Sequence, residues 1–299
     1  MYVSPSGSGN IAIDGTVSSY DYPATYVVAY GASVSLEAIP ASGYGFANWS
    51  GDLTGSTNPT SMVMDGDKTV TANFGYVYTL AVNVSPSGGG RVTLQPSQPA
   101  GGYVSGTGVT LTAVAGAGYR FDHWGGDISG SMNPTSITMT SNKGVTAYFT
   151  RITYALTVNV SPGGSGMVSL EPSQPAGGYV VGTEVSLATA ASEGYKFDQW
   201  SGDLSGMGNP VTMTMDSDKE VTAHFVRIYT LRVEVSPSGG TVTMEPSQPA
   251  GGYVVGTEVS LATVARKGYK FDHWSGGLSG TRNPVTMTMD SDKEVTAHF

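Results

Sequence analysis

The chain contains no cysteine. That absence removes disulfide-stapled miniproteins, thiolate zinc fingers and thiol enzymes, each of which needs sulfur as a ligand or nucleophile. Charge is scarce as well, with 14 basic and 23 acidic residues among 299. The net charge of −9 comes with no cluster of Lys and Arg. Duplex DNA and anionic membranes bind through such clusters, which displace counterions, so no nucleic-acid partner is expected. There is no run of about 18 apolar residues to span a bilayer, and no membrane insertion is expected. The amino terminus Met1-Tyr2-Val3-Ser4-Pro5 has neither the basic nor the apolar region of a signal peptide. An export signal is not expected in this chain.

Glycine and proline are abundant instead, at 42 and 16 residues. They make up roughly a fifth of the chain against a usual ~12%, which leaves almost no window for a helix of three turns. With 39% hydrophobic and 10% aromatic residues, the chain also falls outside the low-hydrophobicity, high-charge class that stays disordered. An all-β fold is expected.

Self-similarity decides the organisation. Trp49, Trp124, Trp200 and Trp274 lie 75, 76 and 74 residues apart, each inside Gly-Tyr-x-Phe-x-x-Trp-x-Gly. Each copy closes on Val-Thr-Ala-x-Phe, ending at Phe74, Phe149, Phe225 and Phe299. Residues 171–189 match 245–263 without a change, and 209–225 match 283–299, which points to recent duplication. The copies run 1–76, 77–153, 154–228 and 229–299.

Alternation and turn residues predict six short strands in each copy. In copy two they cover 78–84, 91–94, 109–114, 119–124, 136–139 and 145–149, and the first two are expected to form a hairpin across Ser85-Pro86-Ser87-Gly88-Gly89-Gly90. Such a unit closes a small antiparallel β-sandwich-like core. At ~75 residues that core is marginal alone, so contacts between copies are expected to add stability. The connections Thr150-Arg151-Ile152-Thr153 and Val226-Arg227-Ile228 are short and β-branched rather than Gly/Ser spacers. Four units of roughly 30 Å each, joined this way, predict a stiff rod on the order of 120 Å long.

The ordered set of motifs resembles a known family. Tyr-Thr-Leu-x-Val-x-Val-Ser-Pro, Gly-Thr-x-Val-x-Leu-x-Ala, Gly-Tyr-x-Phe-x-x-Trp-x-Gly-Asp, Asn-Pro and Lys-x-Val-Thr-Ala-x-Phe together resemble the divergent InlB B-repeat family of bacterial surface and secreted proteins, four times over nearly the whole chain. The resemblance implies a tandem extracellular or cell-surface module used as a stalk, spacer or adhesive segment, with no catalytic residues to carry over. The better-known B-repeat is a β-grasp unit with a helix. No segment here has the length or period for one, so the residues support all-β.

Each candidate site has two readings. Trp49, Trp124, Trp200 and Trp274 serve either as core anchors or as exposed platforms for stacking sugars. Phe121 and Trp124, three apart, point to opposite faces of a regular strand unless a bulge near Trp124-Gly125-Gly126 brings both inside. The Asp-x-Asp-Lys stretches at Asp65/Asp67, Asp216/Asp218 and Asp290/Asp292 are candidate calcium ligands. Copy two has Thr140-Ser141-Asn142-Lys143 in the same place, and a tight turn explains all four versions. Asp52, Asp127 and Asp203 become Gly277 in copy four and also read as turn residues. The positions of His123, His224, His273 and His298 hold Asn48, Gln199, Asn73 or Tyr148 in other copies, and they form no metal set. The methionine pairs Met62/Met64, Met213/Met215 and Met287/Met289 read as core. No catalytic group, cofactor or metal site is assigned, and the chain is not expected to be an enzyme.

Two function classes remain: a structural array, or a binding module whose Trp-to-Asn-Pro loops, such as 125–134, touch a surface glycan or protein. Copy one begins with Met1-Tyr2-Val3 directly before Ser4-Pro5, so most of its first strand is missing. Either the chain is excised from a longer array or another copy supplies the strand in a head-to-tail filament. A third possibility is that the longer 11–30 region closes the sheet.

Overall fold

The computed structural model describes residues 1–17 and 22–299, and the described residues contain strands and turns but no helix. They form two compact units, Met1–Ile152 and Thr153–Phe299. Each unit holds two repeats, and each repeat has its own apolar core. Residues 18–21, inside the 11–30 region that the sequence suggests could close copy one, lie outside the described residues.

Repeat 2 shows the plan. One sheet has its closing strand, Lys143–Arg151, in the middle, between the opening strand Leu80–Ser85 and the tryptophan strand Tyr119–Gly126. The other sheet sets the long strand Gly108–Ala115 between Gly90–Gln95 and Thr135–Thr138. Alternation places Val109, Leu111 and Ala113 of one sheet against Val145, Ala147 and Phe149 of the other, all buried. The two strands expected to form a hairpin lie in different sheets. Leu80–Ser85 pairs in parallel with the closing strand, whereas Gly90–Gln95 pairs with the long strand. The four-residue connection, 86–89, takes the ~10 Å step between the sheets instead of folding back within one. The expected antiparallel unit thus contains one parallel pair.

Gly90 marks where the sheets come closest: a Cβ there would sit 2.6 Å from the Phe149 ring and 2.5 Å from the Val114 carbonyl oxygen. Glycine is therefore the residue that lets the closing phenylalanine lie across the second strand.

Repeats 3 and 4 keep this plan, with opening strands Leu156–Ser161 and Leu231–Ser236 parallel to their closing strands. In repeat 1 only Tyr2–Ser4 occupies that place, paired with Thr71, Ala72 and Asn73. A seventh, two-residue strand lies in what reads as a Pro-Gly loop. Tyr103–Val104 pairs with Tyr78 and Val77, the end of the strand Val70–Tyr78 that closes repeat 1. Repeats 3 and 4 are joined in the same way, Tyr253–Val254 pairing with Tyr229 and Ile228 at the end of Lys219–Tyr229. Within each unit, then, the connection is a continuous strand whose final residues already belong to the next sheet.

Candidate functional site

The tryptophan region is built from two strands and a loop. Trp124 is 1% exposed and its counterparts 1–2%. Phe121 covers it with ring centroids 5.1 Å apart, and Phe149 meets Phe121 edge-on at 5.7 Å. Both rings point inward because the register slips between Phe121 and His123. The bulge, expected near Trp124-Gly125-Gly126, lies just before the tryptophan, at Asp122. Trp124 Nε1 donates to the Met132 carbonyl at 3.0 Å, and its backbone N–H donates to Gly130 O at 2.8 Å. The next residue, Asn133, clamps the long strand. Its Oδ1 accepts from Ala113 N–H at 2.8 Å and its Nδ2 donates to Ala113 O at 2.8 Å.

The same clip recurs through Asn58, Asn209 and Asn283. It ties the loop to both sheets and satisfies the indole N–H internally. The sugar-stacking reading of Trp49, Trp124, Trp200 and Trp274 is therefore overturned, since no indole face is open to a ligand.

The acidic turns bind partners within the chain while staying at the surface. Asp65 pairs with Lys68 and Asp216 with Lys219, each at 2.7 Å, and Asp290 pairs with Lys293. Hydrogen bonding to the ammonium, then its charge, holds these three carboxyls below the usual range and raises Lys68 and Lys219. The second aspartate of the turn reaches the start of the opening strand: Asp218 Oδ1 accepts from Ala155 N–H at 2.8 Å, and Asp292 Oδ1 from Thr230 N–H at 2.7 Å. Asn142 does the same for Thr79 at 2.9 Å. The carboxylates do not converge, and among the described residues no three acidic or imidazole side chains come together for a metal. The calcium reading of Asp216, Asp218, Asp290 and Asp292 thus gives way to turn and latch roles. Asp52, Asp127 and Asp203 each accept a backbone N–H across the adjoining strand.

The divergent InlB B-repeat domain matches at residues 9–77, 80–153, 156–229 and 231–299. The chain belongs to that family. No curated protein matches it. Among solved structures, the Bacillus anthracis TIE protein is similar at 7% identity and a TM-score of 0.31, over 90% of this chain and 59% of that one. The chain therefore spans about three fifths of that protein's length. A point mutant of the major pilin from Streptococcus pyogenes gives 12% identity and a TM-score of 0.13 over 67% and 71% of the two chains. The T3.2 major pilin from Streptococcus pyogenes serotype GAS13637 gives 12% and 0.13 over 98% and 97%.

A second set of B-repeat residues escapes sequence reasoning. Gln98, Gln174 and Gln248 each accept, through Oε1, the N–H of the leucine that begins the opening strand, at 2.9, 3.0 and 2.7 Å. Tyr103, Tyr179 and Tyr253, all buried, donate their hydroxyls to Pro96, Pro172 and Pro246 carbonyls. Burial raises these phenols above the usual tyrosine value. Gly102 precedes Tyr103 at φ +99°, where a Cβ would come within 2.7 Å of Tyr78 O. The signal was present as Gln-Pro-Ala-Gly-Gly-Tyr at 98–103, 174–179 and 248–253, absent from repeat 1. Read as a loop, it is the socket that receives the incoming strand.

Repeat 1 has a groove of about 190 Å³ at the corresponding place, lined by Ile13, Val34, Leu36, Met62, Met64 and Val70 among others. In the other repeats a buried leucine, Leu80, Leu156 or Leu231, begins the opening strand. The groove is bridged by mutual backbone bonds between Met1 and Ala24.

The histidines sit on cross-strand pairs. His273 and His298 stack at 4.4 Å, and His123 stacks on Tyr148 at 4.6 Å.

Proposed function

We propose that this chain is a non-catalytic extracellular array of B-repeats, acting as a projecting or spacing segment of a bacterial surface protein. The observation that carries the reading is that the recurring tryptophan, asparagine, aspartate and glutamine side chains take their hydrogen-bond partners from within the chain. The indole N–H, the Asn amides, the turn carboxylates and the Gln amides all close a repeat or connect it to its neighbour. A catalytic or ligand site holds polar groups in reserve for a substrate, whereas the indole N–H and the asparagine amide of all four repeats are bound within the fold. Membership of a repeat family and direct strand-to-strand connections within each unit support the same reading. No helix of the described residues is long and apolar enough to cross a membrane.

The test is protease shaving of intact cells that express the parent gene, followed by mass spectrometry of the released peptides. Peptides from these repeats are expected in the shaved fraction. Their recovery only after lysis would overturn the reading.

A further inference from the structure

The pairing of the first and last strands of each repeat has a mechanical consequence. In repeat 2 the chain arrives at Leu80, the first residue of the opening strand, and departs at Arg151, the last residue of the closing strand. These two strands lie side by side and run in the same direction, with Leu80 opposite Lys143 and Ser85 opposite Tyr148. Repeats 3 and 4 repeat the register, Leu156 opposite Lys219 through Ser161 opposite His224, and Leu231 opposite Lys293 through Ser236 opposite His298.

Tension along the chain pulls the opening strand backward from its N-terminal end and the closing strand forward from its C-terminal end. For parallel neighbours those two pulls are opposed along a shared axis, so the ladder is sheared. Its evenly spaced hydrogen bonds then carry the load together and fail together. Peeling the same two strands apart from one end would break them one after another at much lower force. The connections deliver tension to this ladder directly: the strand closing repeat 1 runs to Tyr78 and that closing repeat 3 to Tyr229, immediately before the next opening strands. Burial reinforces the ladder, because sliding the opening strand withdraws Leu80, Leu156 or Leu231 from its core.

From this geometry we infer that repeats 2, 3 and 4 are force-bearing elements, each locked by a parallel shear clamp between its terminal strands. This goes beyond the spacer reading, since a spacer needs only length. Repeat 1, with three register pairs in this chain, is the weakest of the four.

Single-molecule pulling tests the inference, and the absence of cysteine allows handles to be placed at chosen residues of the full chain. In one variant Thr153→Cys and Arg227→Cys load repeat 3 across its terminal strands in shear. In the other, Gly163→Cys and Arg227→Cys grip the same repeat on both sides of the Ser161/His224 end and peel it. Thr153 and Arg227 are exposed, and a Cβ at Gly163 meets open space, so the fold is expected to survive. A several-fold higher rupture force in shear than in peeling is expected, and equal forces would overturn the clamp.

The unmodified chain pulled from its termini gives a second measurement that depends on no variant. Three strong events are expected, each releasing on the order of 220 Å as roughly 70 residues extend from a native span of about 30 Å, with one weaker event from repeat 1. Rupture of all four repeats at the peeling force would also overturn the clamp. Either failure would leave the surface-array reading standing, because cell shaving tests that reading separately.

Discussion

Repeats 1 and 2 share one compact unit and one clip, yet the chain leads into them differently. Both bury a tryptophan whose indole N–H is bound by a loop carbonyl, and both clamp the long strand with an asparagine amide. Repeat 2 adds the opening leucine, the Gln98 acceptor and the Tyr103–Val104 strand. Repeat 1 has a three-residue strand and a groove there. The tryptophan and asparagine contacts, present in all four repeats, close a repeat upon itself, whereas the opening leucine, the glutamine acceptor and the short tyrosine strand, present in repeats 2, 3 and 4, join a repeat to the strand that precedes it. The comparison separates fold determinants from connection determinants inside one molecule.

The largest effect should come from breaking a feature of the first kind. Trp200→Ala removes a residue 2% exposed that contacts both Phe197 and the loop. A loss of about 3–5 kcal/mol is expected for a large buried aromatic, enough to unfold repeat 3 while other repeats persist. Calorimetry should show one transition moving far down in temperature, and an unchanged profile would return the indole to the surface.

Asn133→Ala comes next. It strands the N–H and C=O of Ala113, which the amide satisfies at 2.8 Å each, and a loss of about 1–3 kcal/mol is expected. Urea titration should register the change in midpoint with little change in slope. A change no larger than that of an ordinary surface substitution would mean that water replaces the amide without cost.

Gln98→Ala tests the second kind of feature. One hydrogen bond to Leu80 N–H is lost at the margin of the sheet, so about 1 kcal/mol is expected. The effect should appear as faster hydrogen exchange at Leu80 with the long strand of repeat 2 unaffected. Equal acceleration throughout repeat 2 would show that the connection also determines the fold.

The ordering of these effects tracks what could be read from residues alone. The repeat and the all-β class followed from period and alternation, because Val109, Leu111 and Ala113 face one way whatever their partners are. The direction of the tryptophan did not, since strict alternation sets Phe121 and Trp124 on opposite faces and the register slip between Phe121 and His123 brings both inside. Pairing did not follow. The alternation of 80–84 is equally satisfied by an antiparallel hairpin and by a parallel neighbour some 60 residues away, and the four-residue connection 86–89 suits either. The socket was hidden because Gln98 and Tyr103 act through single backbone contacts, which leave no periodic trace. Asp218 and Asp292 were legible as turn residues, but their reach to Ala155 and Thr230 spans a gap that local turn chemistry does not encode.

The smallest effect concerns the latch and separates repeat 4 from repeat 2. Asp292 is held below the ordinary carboxyl value first by the backbone N–H of Thr230, then by its hydroxyl. The folded value is depressed, so the stabilisation is present at and above the unfolded value near 4 and is lost as pH falls through the folded value. Near neutrality nothing should change. In repeat 2 the corresponding acceptor is the amide of Asn142, which has no proton to gain in this range. Lowering the pH below about 4 should therefore loosen the start of the last opening strand, at Thr230 and Leu231, while Thr79 and Leu80 keep their protection. Amide exchange, corrected for its intrinsic pH dependence, reads both positions in one sample. Asp290 also titrates downward through Lys293, so Asp290→Asn serves as the control that removes the ion pair and leaves the latch. Asp292→Asn should make repeat 4 behave as repeat 2 does. If Thr230 still loosens in acid in that variant, the sensitivity belongs to the Asp290–Lys293 pair, and the latch contributes to position without contributing to pH dependence.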